Sequence, residues 1–318
     1  MLRTLTCLAA IAFVAVQNPA PQGQSFRSTS DVVPLFVTAI GKDGRLVTDL
    51  KREDFQIFDN GKPQPLTMFD TAPQPVRLIA LVDISGSMIG RLTLLRAAAE
   101  ELIRHLQPGD AIRAGTFGDD IRISPSFTRD PAALASWLPT DIKPNTQTPL
   151  WAAVDHAMGE FKDVSEGRRV VMVLSDGKDT GPLRSGQKIL FGAKFQTQIE
   201  IRERAQRDDV MIYGVGVYAS LAAAMQSGAT TIGGVMSSTM PDPGLGTLAI
   251  DTGGGYIELR GRDDLVATFA RIVDELHQQY LLGFVPPAQD GKTHKIEVKI
   301  ARPDVRPRVR KNYVAPKR

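Results

Sequence analysis

The sequence predicts an α/β protein, a doubly wound and mostly parallel sheet inserted into a small β-rich domain that both ends of the chain build. Three observations lead there. Residues 76–82 (Val-Arg-Leu-Ile-Ala-Leu-Val) and 170–174 (Val-Val-Met-Val-Leu) are almost unbroken apolar runs of strand length, the pattern of parallel strands covered on both faces. Helix-patterned segments alternate with these and further strands, as a sheet with helices on both faces requires. On either side of this block the pattern changes to short alternating strands bounded by turn dipeptides.

In chain order, residues 1–25 read as a signal peptide and flexible start. Met1-Leu2-Arg3 precedes an apolar stretch at residues 5–16, too short to span a bilayer, and a Gln/Pro-rich stretch follows at residues 17–25. The single cysteine, Cys7, lies in the apolar stretch, so the exported chain would carry no disulfide. Residues 26–73 are the N-terminal part of the β-rich domain, with Asp43-Gly44 and Asn60-Gly61 as hairpin-type turns around residues 55–58.

Residues 74–280 form the α/β domain. Its strand at 76–82 leads to a helix over 91–106, where Leu94, Leu95, Ala98, Leu102 and Leu106 recur at helical spacing before Pro108-Gly109. Residues 111–117 and 121–127 form a hairpin, 149–161 a helix, 170–174 and 210–217 strands, 257–259 a short edge strand and 265–280 the final helix. Residues 281–318 complete the β-rich domain. There 280–285 make one apolar strand, and Ile296-Glu297-Val298-Lys299-Ile300 alternates strictly. Two stretches, 181–207 and 219–243, are longer than plain connections. Each follows a parallel strand, so each emerges at the strands' carboxyl end, either to shape partner choice or only to connect.

Both apolar runs stop at carboxylates. The first ends at Asp83-Ile84-Ser85-Gly86-Ser87 and the second at Ser175-Asp176-Gly177, while Thr148 precedes the helix that starts near Pro149. In an open α/β sheet ligands gather outside the carboxyl ends of the strands, where strand order reverses. The set Asp83, Ser85, Ser87, Thr148 and Asp176 offers oxygen and no imidazole or thiolate, which favours Mg²⁺, with Mn²⁺ or Ca²⁺ also accommodated. Two carboxylates balance the ion, and three hydroxyls leave it electrophilic towards one further carboxylate from a partner. One Asp-x-Ser by itself would read as a helix cap or turn; three such segments at strand ends together point to an ion. Asp179 stands just beyond Asp176, either as support behind the ligands or as a helix cap.

At these residues the chain resembles the von Willebrand factor A (VWA) domain, whose metal-ion-dependent adhesion site (MIDAS) reads D-x-S-x-S, then Thr, then Asp. The resemblance implies that Ser85, Ser87 and Thr148 ligate directly, and Asp83 and Asp176 directly or through water. The layout also resembles bacterial exported VWA-related proteins, through Arg52-Glu53-Asp54-Phe55, Asp59-Asn60-Gly61-Lys62-Pro63 and Tyr280-Leu281-Leu282-Gly283.

Other chemistries find little support. A net charge of +3 on 318 residues does not argue for nucleic acid. The histidines His105, His156, His277 and His294 are scattered, and His105 and His277 fall near helix ends. Gly214-Val215-Gly216 and Gly253-Gly254-Gly255 lack the rest of a nucleotide-binding fingerprint. The C-terminal cations, among them Arg302, Arg306, Arg308, Arg310 and Lys311, read as a solvated strand face or, alternatively, as a face attracted to an anionic cell surface. The expected function is an exported protein-binding or adhesion module, not an enzyme, whose metal takes an exposed Asp or Glu of a protein partner. The chain would be periplasmic, cell-surface or secreted, with no transmembrane segment after signal removal. The alternative is an envelope structural or assembly protein whose metal only stabilises the fold. A Mg²⁺-dependent phosphatase is remote, because Ser85 stands where an aspartyl-phosphate enzyme of the haloacid dehalogenase type needs a second carboxylate.

Overall fold

Apolar runs buried on both faces build the centre of the protein. The computed structural model describes residues 32–89, 91–143, 146–176, 179, 184–185, 188–189, 198–218, 231–260 and 264–317. The readings for residues 1–25, and for most of 181–197 and all of 219–230, lie outside the described residues. The first strands are β1 (Val33–Gly41), β2 (Phe55–Asp59), β3 (Lys62–Gln64) and β4 (Met68–Asp70). β5 (Val76–Asp83), helix α1 (Leu92–Arg104), β6 (Ala111–Phe117), β7 (Ile121–Ile123) and the short α2 (Pro131–Ala135) follow. Then come α3 (Leu150–Gly159), β8 (Arg168–Ser175), the small strands β9 (Arg184–Ser185) and β10 (Lys188–Ile189), α4 (Gln198–Arg207) and β11 (Val210–Val217). The chain continues through α5 (Ile232–Thr239), α6 (Pro243–Asp251), β12 (Tyr256–Leu259), α7 (Leu265–His277), β13 (Tyr280–Phe284), β14 (Thr293–Ile300), β15 (Val305–Arg308) and β16 (Asn312–Val314).

The central sheet has the order β12-β11-β8-β5-β6-β7. Its strands are parallel except β7, which pairs antiparallel with β6. After β5 the chain builds one side of the sheet, then returns to lay β8 on the other side of β5, so strand order reverses between β5 and β8. Successive residues of a strand face opposite sides, and both sides are covered here. Leu78 and Val82 join a cluster with Leu95, Ala98 and Leu102 of α1 and Phe269, Ile272 and Val273 of α7. Ile79 and Leu81 join the opposite cluster with Leu150, Val154 and Met158 of α3, Ile201 of α4 and Leu245 and Leu248 of α6. Leu78, Ile79 and Leu81 are essentially inaccessible, and each such burial contributes about 1.5–3 kcal/mol.

The remaining strands form two antiparallel four-stranded sheets, β15-β1-β13-β4 and β16-β14-β2-β3. Chain ends meet in both. Val33 lies opposite Phe284, and Phe55 opposite Ile300. One apolar cluster, including Leu35, Val37, Ile57, Leu282, Phe284, Val298 and Tyr313, draws on both sheets. Asn60 and Gly61 both have positive φ, 47° and 79°, as a two-residue type I′ hairpin demands, and they join β2 to β3 as the dipeptide predicts. Asp43-Gly44 makes a turn after β1, followed by an isolated bridge from Ile40 to Leu46 rather than a ladder.

Several expectations need correction. Leu94 is 42% exposed, because only one of two adjacent leucines can face inward on a helix, and Leu95 does. The final helix stops at His277, and Tyr280 begins a strand. The hairpin strand predicted over 121–127 is shorter, ending at Ile123. The C-terminal cations are not all solvated. Arg308 is bonded to buried Glu275, which also accepts from Tyr213, while Arg310 pairs with Asp209 and is 9% exposed. These pairs tie the last strands to the amino-terminal edge of the central sheet. Gln279 reaches Thr38 of β1 at 2.7 Å, and His277 meets Asp110 at 2.7 Å in the same buried layer.

Candidate metal centre

The candidate centre grows from the carboxyl ends of β5 and β8. Val82 lies opposite Leu174 in the parallel register, so Asp83 and Asp176 leave neighbouring strands on the same edge, at the place where strand order reverses. Asp83 is fully buried. Its Oδ1 accepts the Ser85 amide at 2.8 Å and its Oδ2 accepts the Ser175 hydroxyl at 2.6 Å. The first bond is an Asx-type turn, which brings Ser85 over the strand end. A short 3-10 turn, Gly86–Met88, follows, and the Met88 amide donates to the Ser85 carbonyl at 2.9 Å. Ser87 falls in this turn, and its side chain lies outside the described residues.

Asp176 and Thr148 are likewise buried, at 1% and 5% exposure. Burial pushes the Asp83 carboxyl up to about 7, and the nearby negative charge of Asp176 adds to the rise, while the bonds from Ser175 and Ser85 oppose it. Two buried carboxylates therefore lie close enough to repel each other, with the Ser175 hydroxyl bonded to one of them. A hard divalent cation suits that donor set. Among the described residues no group of three or more His, Cys, Asp or Glu could hold a metal, so any ion here would rely on serine and threonine oxygens besides the two aspartates.

The segment carrying Thr148 approaches the same edge. A Cβ on Gly118, just past β6, would stand 2.6 Å from Thr146 Cγ2 and 3.0 Å from Ile84 Cγ1. Only glycine lets these three loops touch. The Gln147 amide also donates to Asp119 Oδ1 at 3.3 Å, which fixes the residue before Thr148. Asp179 accepts from the Trp151 amide in the first turn of α3 at 3.3 Å, a bond of the helix-end kind. In turn the Asp179 amide points to Asp242 Oδ2 at 3.4 Å.

Sequence reasoning missed the parts played by Ser175 and Asp242. Ser175 is the last strand residue before Asp176, and nothing local announces that its hydroxyl reaches across to Asp83. Asp242 caps α6, accepting from the Gly244 amide at 2.8 Å, and Asp242-Pro243 is a helix-start signal. It ties the end of the 219–243 stretch to the loop after β8. Nearby, Ile89 at 53% and Met240 at 47% exposure present apolar side chains to solvent.

Residues 78–244, just over half of the chain, match the model of the von Willebrand factor type A domain. No curated protein matches the chain. Among solved structures, the chain is similar to von Willebrand factor type A from Catenulispora acidiphila (11% identity, TM-score 0.47), covering 92% of this chain and 76% of that one. The conserved hypothetical protein BatB from Bacteroides thetaiotaomicron is 16% identical, with TM-score 0.44 and coverage of 63% of this chain and 98% of that one. The vWF domain of the type V pili tip protein Mfa5 from Porphyromonas gingivalis is 13% identical, with TM-score 0.44 and coverage of 65% and 95% respectively.

Proposed function

The chain belongs to the von Willebrand factor type A domain family, and from that premise we propose that it is an exported, metal-dependent protein-binding module without catalytic turnover. Asp83, Ser85, Ser87, Thr148 and Asp176 would hold a divalent cation, Mg²⁺ in the first instance and Mn²⁺ or Ca²⁺ in its place. The ion would supply Lewis acidity towards an Asp or Glu carboxylate on a protein partner. The observation that carries this reading is the pair Asp83 and Asp176, buried together among hydroxyls at the reversal point of the sheet. Two carboxylates buried side by side repel each other, and a cation held by both would relieve that cost.

The chain's own residues do the rest. Ser175 and the Ser85 amide orient Asp83, Gly118 lets the Thr148 segment close against Ile84, and the surrounding apolar clusters exclude water. Exposed Ile89 and Met240 offer apolar contact beside a docked carboxylate. Export rests on the residue 1–25 pattern, and among the described residues no helix is long and apolar enough to cross a membrane.

Calorimetric titration of the chelator-stripped protein tests the site. Saturable uptake of Mg²⁺ or Mn²⁺ near one equivalent, lost in Asp83→Ala, is expected, and absence of uptake by the wild type would reject it. Binding to arrayed Asp- and Glu-bearing peptides should then appear with metal and vanish with chelator. Metal that raises the melting temperature while no peptide binds in a metal-dependent way would favour the purely structural role.

A further inference from the structure

At the edge of the central sheet opposite the candidate metal centre, the protein buries cations. A cavity of ≈ 20 Å³ lies there, lined by Arg168 at the start of β8, Asp209 before β11, Phe36 of β1, and Arg310 and Thr252. Such a space takes one small occupant. Arg168 and Arg310 are 7% and 9% exposed. Arg310 is neutralised by Asp209 at 2.5 Å and also donates to the Pro34 carbonyl at 2.7 Å. Arg168 differs. Its guanidinium donates to the Leu276 carbonyl at 2.7 Å and to the Gln279 side-chain oxygen, and it stacks 4.5 Å from the Phe36 ring centroid. All three partners are neutral, and among the described residues no carboxylate comes within ion-pair distance of it. The Nε–H groups of Arg168 and Arg310 are both buried without a hydrogen-bond partner among the described residues.

We propose that this cavity binds a small monovalent inorganic anion, chloride in kind, between the guanidinium Nε–H donors of Arg168 and Arg310. Two cations line the cavity against one lining carboxylate, and Asp110 acts on Arg168 only from beyond ion-pair distance, so a single negative charge in the cavity would balance its lining. A water molecule would satisfy the donors and leave the charge. Burial draws the Arg168 guanidinium down to about 10, still protonated at neutral pH, so the charge must be met rather than shed. The anion would touch β1, the central sheet and the C-terminal strands at once, segments that come together only in the folded chain. Binding is therefore linked to folding, because the unfolded chain offers no such site.

Thermal unfolding of the purified protein in chloride against gluconate, at equal ionic strength and with chelator present, tests this apart from the metal centre. Chloride should raise Tm by about 2–4 °C once in tenfold excess over its dissociation constant, saturably, with bromide acting likewise. Arg168→Met should abolish the anion-specific rise. Should that variant fail to fold, ³⁵Cl line broadening on the wild type, saturable and displaced by bromide, supplies the same answer. Equal Tm in the two salts, a rise unchanged in Arg168→Met, or no displaceable broadening would overturn the site and leave a water in its place.

Discussion

The two edges of the central sheet bury opposite charges and handle them differently. At the carboxyl edge Asp83 and Asp176 lie together with serine and threonine hydroxyls, and no cation among the described residues pairs with Asp83. At the amino edge Glu275 meets Arg308 and Tyr213, Asp209 meets Arg310, and His277 meets Asp110. The same sheet thus carries one end where opposite charges pair within the chain and one end where two like charges are buried side by side. Internal pairing makes a joint; buried like charge marks a candidate binding site.

Substitutions should therefore have opposite signs at the two edges. The largest effect is expected for Glu275→Ala, which strands the Arg308 guanidinium in a buried layer and should cost about 3–5 kcal/mol in urea unfolding, with any metal uptake retained by the folded fraction. Asp83→Asn should do the reverse in metal-free protein. The Asp83 carboxyl is raised from 3.8 to about 7 in the folded state, so between those values the folded protein holds more protons than the unfolded one, and stability falls as pH rises. The wild type should lose up to roughly 4 kcal/mol across that window; Asp83→Asn should flatten this slope and abolish metal uptake. A slope identical in both proteins would break the contrast.

Gly118→Val comes next. Its side chain would press on Thr146 and Ile84, costing about 1–3 kcal/mol and weakening metal uptake by parting the loops that carry Asp83 and Thr148. Asp179→Ala should have the smallest effect. It removes a long helix-end bond to Trp151, worth roughly 0.5–1 kcal/mol, and uptake measured by calorimetry should change little.

What the sequence revealed follows the same division. Strands β5, β8 and β11 were legible as apolar runs because both their faces are buried, and Asp83 and Asp176 were legible because they terminate the runs of β5 and β8. The Asn60-Gly61 turn was legible because two consecutive positive φ angles restrict the residues that fit. Helix α6 was not read as a helix: Gly244 and Gly246 lower its intrinsic propensity, yet Gly246 is needed where a Cβ would lie 3.0 Å from the Tyr256 ring. Arg308 and Arg310 were misread as solvated because their partners, Glu275 and Asp209, are distant in sequence and leave no local mark. The Ser175–Asp83 bond escaped for the same reason, since it crosses between strands.

The pairing of chain ends bears on how such a protein acquires its shape. Val33 waits for Phe284 and Phe55 for Ile300, so β1 has no partner strand, and β2 only β3 on one edge, until the last strands are available. A chain threaded through a membrane from its amino terminus would hold β1, and the free edge of the β2–β3 hairpin, open for nearly the whole passage and exposed to mispairing. Their closure needs contacts of very long sequence separation, which form slowly. Assembly is thus timed by arrival of the final strands.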